Sequence, residues 1–297
     1  MRREECVHVF ISTVCLQCLG KLAYYFVSKT SLSEEEKIRA VAWLFRKIAE
    51  LFEGDLSDYM KMCASFYSAV FEVVGEEDFF AEEKKLSNEL ALKLTKIAED
   101  YAKSLRGSIK VSAVGNALDF GTGVYECSIE DFKKRFLELI EEDFAVDDYD
   151  KFLEDLKKSK TILYVLDNAG EAVFDLLLVK RLKDFAEKIV VAARDKPVQN
   201  DVTYEEALEL GFGDVAEVVS TGSRIPGLYL KTCSRDFIEL LEDADLVILK
   251  GQGNYQSIDE VKRVRSKPTY AILRAKCPPV ARALGVRLNS FIFKKLL

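Results

Sequence analysis

The stretch that decides the fold is Thr-Ile-Leu-Tyr-Val-Leu-Asp-Asn-Ala-Gly-Glu, residues 161–171. Its first six residues form a short and almost wholly apolar run, which is typical of a strand that is buried on both faces of a sheet. Polar residues and a glycine follow at once, and an apolar pattern with helical spacing begins at residue 172. The stretch therefore predicts a strand, a short turn and a helix, which is the repeating unit of a parallel sheet.

The same unit recurs through the C-terminal two thirds of the chain. The predicted strands are 161–166, 189–193, 215–219, 246–249 and 269–273. The predicted helices between and after them are 172–185, 204–210, 236–241 and 280–284. This alternation predicts an α/β fold with a mostly parallel sheet that helices cover on both faces. In such sheets ligands bind beyond the carboxyl ends of the strands.

The first hundred residues have a different, helical rhythm. Ser33 and Glu36 have the spacing of a capping box, and apolar side chains follow at intervals of three and four residues. The two apolar stripes are Ile38, Val41, Phe45, Ile48 and Phe52, and Leu86, Leu90, Leu94, Ile97, Tyr101 and Leu105. We interpret both stripes as the core of a helical bundle. We predict a helical domain over residues 1–106, followed by an α/β domain over residues 107–297.

Composition limits the class of protein. With 43 Lys and Arg against 50 Asp and Glu, the net charge is −7, which argues against nucleic acid as a partner. The apolar segment 7–27 contains His8, Gln17 and Lys21 and has no clean signal-peptide cleavage site, so it predicts a buried helix. We therefore expect a cytoplasmic protein that has no membrane partner, and whether it forms a homo-oligomer stays open.

The numbers and positions of cysteine and histidine limit the kinds of site that the chain could form. The seven cysteines are odd in number and scattered, which does not fit a secreted disulfide framework. Cys15 and Cys18 form a C-x-x-C pair inside a predicted helix, and we interpret them as buried structural thiols. The single histidine, His8, lies far in sequence from every other candidate, which disfavours histidine-dependent triads and His-ligated zinc sites. Catalysis would then depend on carboxylates, amides, lysines and an oxygen-ligated metal.

Two neighbouring strand ends carry candidate metal ligands. Asp167 and Asn168 follow one predicted strand, and Asp201 follows the next, 34 residues after Asp167. Because the ends of adjacent parallel strands meet at one edge of a sheet, we expect these side chains to lie close together. Two carboxylates and an amide oxygen suit a hard cation such as Mg²⁺ or Mn²⁺. Taken singly, each residue is equally typical of an ordinary turn or helix cap.

Later strand ends add groups that suit an anion. Gly222 and Ser223 offer backbone N–H groups and a hydroxyl, and Lys250 ends a strand before a glycine-rich turn that contains Gly253 and Asn254. A lysine at the end of a buried strand is costly unless it meets an anion, and phosphate is the partner that we predict. Each loop by itself is also typical of an ordinary turn.

An upstream segment provides a further candidate wall of the site. Asn116 and Asp119 are three residues apart and would share one face of a helix.

Common nucleotide and phosphatase signatures do not fit the chain. Residues 211–216 match G-x-G-x-x-A, but they follow a helix and precede a strand, which is the wrong order for dinucleotide binding. A Walker P-loop is absent from the sequence, and Ala169 stands where the aspartyl-phosphatase pattern D-x-D requires an acid.

Together these segments resemble the damage-control phosphatase family, also known as domain of unknown function eighty-nine, and above all its small archaeal branch. The resemblance covers essentially the whole chain. It is carried by Asp167-Asn168-Ala169-Gly170-Glu171, by Lys196-Pro197 with Asn200-Asp201, by Lys250-Gly251-Gln252-Gly253-Asn254-Tyr255, by residues 115–121 and by the early C-x-x-C. It implies a three-layer α/β/α domain packed with a helical N-terminal domain. It also implies a divalent metal, Mn, Mg, Co or Ni, bound by Asp167, Asn168 and Asp201.

The resemblance further implies a metal-dependent phosphomonoester hydrolase that acts on small phosphorylated metabolites such as sugar phosphates. The candidate catalytic residues are Asp167, Asp119 and Lys250. The candidate substrate-binding residues are Asn116, Gly222, Ser223, Gly253, Asn254 and Glu171. The nucleophile stays open between water and a carboxylate. Two alternatives are an S-adenosylmethionine-dependent carboxyl methyltransferase, which would favour glycines where Asp167 and Asn168 stand, and a non-catalytic metal- or metabolite-binding protein.

Overall fold

The computed structural model describes residues 11–117 and 129–297. The helices are α1 (Thr13–Ser28), α2 (Glu34–Glu53), α3 (Tyr59–Val74), α4 (Ala81–Tyr101), α5 (Leu105–Ala117), α6 (Ile129–Ile140), α7 (Tyr149–Leu156), α8 (Glu171–Leu182), α9 (Tyr204–Glu209), α10 (Arg235–Asp243), α11 (Gly251–Gln256), α12 (Ile258–Val264) and α13 (Pro278–Leu284), with a short 3₁₀ turn at Phe212–Asp214. The strands are β1 (Phe144–Asp147), β2 (Thr161–Val165), β3 (Lys188–Ala193), β4 (Glu217–Ser220), β5 (Leu246–Lys250), β6 (Thr269–Arg274) and β7 (Phe291–Lys295).

The strands form a 7-stranded sheet in the order β1-β7-β6-β5-β2-β3-β4. Each neighbouring pair is parallel except β6 and β7, which run antiparallel. The chain moves outward from β2 to β3 and β4, and then continues with β5 on the other side of β2. The strand order therefore reverses between β2 and β5, and the carboxyl ends of strands at such a reversal form the crevice in which α/β proteins bind ligands. The predicted mostly parallel sheet is confirmed.

Alternate side chains of β2 face two different helical layers. Ile162 and Tyr164 lie in one core with α5 and α8, whereas Leu163 and Val165 lie in another core with α10 and α12. All four side chains are buried, as the apolar run at 161–166 predicted. Helices thus cover the sheet on both faces, which is the three-layer α/β/α arrangement that the resemblance implied.

The N-terminal helices divide between two cores. Helices α1, α2 and α3 pack in a core of their own, to which Val198 and Ile225 contribute from the loops after β3 and β4. Helix α4 instead contributes Ala91, Leu94 and Ala98 to the core on one face of the sheet. The predicted domain boundary at residues 106/107 falls within the first turn of α5, and it stays a prediction.

The helix start at α2 is as predicted, but part of the predicted bundle core is wrong. The side chain of Ser33 accepts a hydrogen bond from the Glu36 N–H, and the Glu36 side chain completes the capping box. Ile38, Phe45 and Leu86, however, are 62%, 50% and 53% exposed. Helical spacing identifies the helix, but which apolar side chains are covered depends on the elements that pack against it.

The early apolar segment forms α1 from Thr13 onward, and the part that contains His8 lies outside the described residues. Cys15 is half-buried and Cys18 is exposed, so the prediction of two buried thiols is wrong for Cys18. Among the helices that the structure describes, none combines the length and apolar character that crossing a bilayer requires.

Candidate active site

The turns that follow β2 and β3 lie side by side. Asn168 and Asp201 form an isolated antiparallel bridge. The Val202 N–H donates to the Asp167 carbonyl at 2.9 Å, and the Ala169 N–H donates to the carbonyl of Asn200 at 2.8 Å. The predicted proximity of the three candidate ligands therefore follows from backbone pairing, and their role as ligands stays a prediction.

Helix α4 supports the turn after β2. Gly170 has φ 75°, and its N–H donates to Asn88 Oδ1 at 2.6 Å. A Cβ at Gly170 would lie 3.0 Å from both the Cβ and the carbonyl oxygen of Ser87. Only glycine adopts this conformation against a neighbouring helix without strain, so the N-terminal helices help to shape the candidate site.

Two amides and two carboxylates form a buried cluster at the start of α8. Asn116 Nδ2 donates to Glu171 Oε2 at 2.7 Å and lies 3.4 Å from Asp167 Oδ2. Asn168 Nδ2 donates to the same two oxygens, at 3.1 Å and 2.8 Å respectively. The Asn116 Oδ1 accepts the Arg274 N–H at 2.8 Å. Asn116 and Glu171, which we predicted to bind substrate, thus lie beside the candidate ligands, whereas Asp119 lies outside the described residues.

Lys250 is fully buried and points into this cluster from β5. Its ammonium forms an ion pair with Glu171, lies 3.3 Å from Asp175 Oδ1, and lies 3.4 Å from the Ser112 carbonyl oxygen. Burial lowers the pKa of Lys250, but the Asp175 and Glu171 carboxylates outweigh it and raise that pKa above its ordinary value. The anion that a buried lysine requires is therefore supplied by the protein itself, where we predicted a phosphate.

Arg194 fixes Asp201 by a hydrogen bond, and Asn254 fixes Arg194 in turn. Arg194 Nε donates to Asp201 Oδ2 at 2.7 Å, and its two terminal nitrogens donate to the Gly227 carbonyl and to Asn254 Oδ1, both at 2.9 Å. Asn254 Nδ2 in turn donates to the carbonyls of Leu166 and Lys250 at 2.9 and 2.7 Å. Asn254, predicted to bind substrate, uses both ends of its amide within the protein, which favours a positioning role.

The remaining predicted substrate residues lie farther along the same edge. Gly222 has φ 71° and its N–H donates to Ser220 Oγ at 2.9 Å. Ser223 is buried, with its Oγ 2.7 Å from Thr232 Oγ1. Gly253 lies in α11, and a Cβ added at Gly227 would lie 2.5 Å from the Gly253 carbonyl oxygen. Gly222 and Ser223 follow β4, one strand beyond the turn that carries Asp201.

The buried charges of the site do not balance. Its buried carboxylates are Asp167, Glu171, Asp175 and Asp201, and its buried cations are Lys250 and Arg194. Burial raises the pKa of Asp167 well above its ordinary range, and the nearby Glu171 and Asp201 carboxylates raise it further. Lys276 and Arg194 lower that pKa and only partly offset the rise. A site with a surplus of buried negative charge fits a divalent cation.

The donor set depends on an amide oxygen. In the described parts of the chain, no three His, Cys, Asp or Glu side chains are grouped to hold a metal ion. The candidate set has two carboxylates, Asp167 and Asp201, and Asn168 completes it. Because Asn168 Nδ2 donates to Asp167 and Glu171, Oδ1 is the atom of that side chain that a cation would bind. Oxygen donors of this kind suit Mg²⁺ and Mn²⁺.

Lys276 is a functional candidate that the sequence analysis missed. It follows β6, which is parallel to β5 and ends at the same edge of the sheet. Its backbone N–H donates to Gln252 Oε1 at 3.2 Å, which fixes this segment against α11. Its charge acts on Asp167, so a cation lies near the candidate metal ligands. Because Lys276 follows a strand of the sheet, the strand-end pattern that predicted the other candidates also applies to it.

Gly251 is the residue at which a single added carbon should damage the site most directly. It has φ 73°, and a Cβ there would lie 1.7 Å from Asp167 Oδ2. We expect Gly251→Ala to lower the free energy of unfolding by about 3 kcal/mol, because overpacking adds to backbone strain. Gly285 is a matched control, since its φ is 67° and an added Cβ would meet nothing within 4 Å. Gly285→Ala should cost only about 1 kcal/mol in urea unfolding, and equal losses in the two variants would contradict the contact.

Comparison with known proteins places the chain in a family. It matches the damage-control phosphatase ARMT1-like domain over residues 11–292. It is similar to an uncharacterized protein of Methanocaldococcus jannaschii, with 32% identity over 97% of this chain and 96% of that protein. It is also similar to a damage-control phosphatase of Pyrococcus horikoshii, with 30% identity over 94% of this chain and 95% of that protein. The crystal structure of a DUF89 family protein from P. horikoshii matches with a TM-score of 0.86 at 28% identity, over 97% of this chain and 99% of the other. The chain therefore belongs to the damage-control phosphatase ARMT1-like family, as its strand-end motifs predicted.

Proposed function

We propose that this protein is a metal-dependent phosphatase that hydrolyses small phosphorylated metabolites such as sugar phosphates. The observation that carries the proposal is the surplus of buried carboxylates at the strand reversal between β2 and β5. Membership of the family and the damage-control phosphatase of P. horikoshii support a phosphatase role. The acidic residues alone would repel a phosphate ester, so the activity requires a cation at this edge.

Asp167, Asn168 and Asp201 are the residues that would hold a divalent metal, Mn, Mg, Co or Ni. When bound, such a metal supplies Lewis-acid stabilisation of the charge that develops on a phosphoryl group. The residues around it have separate tasks. Arg194 fixes Asp201, and the Asn116 and Asn168 amides fix the Asp167 carboxylate.

Lys250 and Lys276 have different proposed roles in the site. Lys250 neutralises Glu171 inside the protein, so we assign it to holding that carboxylate. Lys276 follows β6 and is half-buried, and we assign to it the contact with phosphate oxygens of the substrate. Asp167 and Asp119 stay the candidate carboxylate nucleophiles, with water as the alternative nucleophile.

A metal panel with p-nitrophenyl phosphate and a set of sugar phosphates tests the proposal. We expect phosphate release that depends on Mn²⁺, Mg²⁺, Co²⁺ or Ni²⁺ and that a chelator abolishes. Asp201→Ala should reduce this release by about a hundredfold or more, because it removes a proposed ligand. Asp195→Ala is the matched control, since Asp195 lies at the same strand end but is exposed, and it should keep its activity.

Three outcomes would contradict the proposal. Undiminished activity in Asp201→Ala would overturn the ligand assignment. Methyl transfer from S-adenosylmethionine without phosphate release would favour the methyltransferase alternative. Metal binding without turnover of any phosphate ester would favour a binding protein.

A further inference from the structure

Beyond the Lys250–Glu171 ion pair, a second row of polar side chains contacts the same ammonium. Asp175 is fully buried on α8, one helical turn after Glu171. Its Oδ1 accepts a hydrogen bond from Ser112 Oγ at 2.6 Å and lies 3.3 Å from Lys250 Nζ. The Ser112 hydroxyl also lies 3.3 Å from the Tyr164 hydroxyl. The row therefore joins α5, α8, β2 and β5 at one point.

The contacts continue from this row to the turn at residues 167–170, which carries Asp167 and Asn168 and which we call the metal turn. Lys250 stands between Asp175 and Glu171, and the second oxygen of Glu171 accepts from the amides of Asn116 and Asn168. Asn168 is one of the proposed metal ligands. A displacement of the Lys250 ammonium would thus pass through Glu171 to the orientation of the Asn168 amide.

Two carboxylates contact the Lys250 ammonium, and together they fix its position. Its side chain is a flexible stem of four methylene groups, and the ammonium at its end is a compact charge whose position depends on the nearest anions. Glu171, which also contacts Asn168, and Asp175, one helical turn farther along α8, both attract it. With Asp175 neutral, the ammonium would move toward Glu171 alone, and the carboxylate would shift relative to its amide donors.

We propose that Asp175, held by Ser112, is a positioning residue that acts through Lys250 and Glu171 to set the geometry of the metal turn. The proposal rests on the proposed function, because it assumes that Asn168 binds the metal. It assigns a role to a buried carboxylate whose contacts are with Ser112 and Lys250. Groups that hydrogen-bond to a metal ligand, as Glu171 does to Asn168, typically change affinity or activity by about 10- to 100-fold when they are replaced, and Asp175 acts through such a group.

A purely structural role for Asp175 makes a different prediction. Asp175 would then only neutralise Lys250, and its loss would lower the melting temperature without changing metal affinity or turnover of the folded protein. Asp155 is a matched control for that case. It accepts from the Tyr270 hydroxyl and from Lys295 Nζ, both at 2.6 Å, so it has the same kinds of partner at a distance from the metal turn.

The test compares Asp175→Asn, Ser112→Ala and Asp155→Asn in the full chain at pH 8. Burial raises the pKa of Asp175 to about 7 against the opposing effect of Lys250, so Asp175 is mostly ionised at this pH and its replacement removes a charge. We expect Asp175→Asn to weaken Mn²⁺ binding in calorimetry about tenfold and to lower kcat about tenfold with little change in KM. Ser112→Ala should act in the same direction by about threefold, because it removes one hydrogen bond to Asp175 and leaves the carboxylate in place. Asp155→Asn should lower the melting temperature only.

A double-mutant cycle with Lys250→Met identifies the route of the effect. If Asp175 acts through Lys250, Asp175→Asn should cause no further loss of Mn²⁺ affinity once Lys250 is absent. Independent, additive losses would contradict that route. The paired replacement also removes one charge of each sign, which limits the damage to folding.

Several results would overturn the proposal. Wild-type Mn²⁺ affinity and kcat in folded Asp175→Asn would do so, and where that variant does not fold, wild-type values in Ser112→Ala would do so. A wild-type protein that binds Mn²⁺ but releases no phosphate would defeat the proposed function alone, because the Mn²⁺ affinities of the variants would still decide the role of Asp175.

Discussion

Asp167→Asn should strongly reduce metal-dependent phosphate release and, in the absence of metal, give a protein more stable than the wild type. The wild-type carboxylate is buried beside Glu171 and Asp201, and its pKa is raised well above its ordinary range by burial first and by these neighbours next. Asparagine has the same size, and its carbonyl oxygen can accept the hydrogen bond that Asn168 Nδ2 donates at 2.8 Å. The substitution therefore removes an unfavourable charge while keeping the packing. We expect activity to fall by about a hundredfold or more, since a proposed ligand is lost.

The sign of the pH dependence follows from the raised pKa. The unfolded chain releases the proton of Asp167 near pH 4, whereas the folded chain releases it at a higher pH. Stability contributed by this group is therefore present at low pH and is lost as pH rises from the unfolded pKa through the folded pKa. The advantage of Asp167→Asn should be absent below about pH 4 and should grow toward pH 8.

Urea unfolding in chelator at pH 4 and pH 8 measures the difference in stability between Asp167→Asn and the wild type. With saturating Mn²⁺ the wild type should be the more stable of the two. The wild type gains stability from metal binding, and the variant should gain little. A metal-free wild type more stable than Asp167→Asn at pH 8 would show that the buried carboxylate is not a source of instability. Such opposing effects on stability and activity are expected wherever a site concentrates like charges for function.

The sheet was predictable where its strands are buried on both faces. The runs at 161–166 and 246–249 contain little but apolar residues, and they became β2 and β5 with their boundaries almost unchanged. Strands β1 and β7 were not predicted. In β1 the four residues alternate between half-buried and exposed, and a pattern this short does not stand out from a loop. β7 runs antiparallel to β6, so it does not belong to the repeating strand–helix unit from which the prediction was made.

The candidate ligands were predictable because backbone topology alone places them. Asp167 and Asp201 follow adjacent parallel strands, so their separation depends little on side-chain conformation. The partners of Lys250 were not predictable in this way. A lysine reaches far from its own Cα, and the sequence does not show that Glu171 and Asp175, one helical turn apart on α8, both face it. Arg194 was missed for the same reason, although its position at the end of β3 met the rule used for the other residues.

Arg194→Met should lower the free energy of unfolding by about 3–5 kcal/mol, because removing one partner of a buried ion pair leaves the other charge uncompensated. Arg194 is buried, and its three hydrogen bonds reach Asp201, the Gly227 carbonyl and Asn254. Methionine fills much of the same volume but makes none of these bonds. The loop at residue 227, α11 and the turn after β3 would all lose the group that joins them.

Arg235→Met is the matched control for this loss. Arg235 Nε lies 2.8 Å from Glu239 Oε1, nearly the same separation as the 2.7 Å between Arg194 Nε and Asp201 Oδ2, but the Arg235 side chain is 90% exposed. Solvent screens an exposed pair, so its loss should cost less than about 1 kcal/mol. Urea unfolding of both variants, with and without Mn²⁺, separates two consequences of losing Arg194. The free energy of unfolding without metal measures the loss of the three Arg194 hydrogen bonds. A smaller gain in that free energy on adding Mn²⁺ would show that Asp201 no longer holds its position. Equal, small losses in the two variants would mean that burial of the Arg194–Asp201 pair contributes nothing to the site.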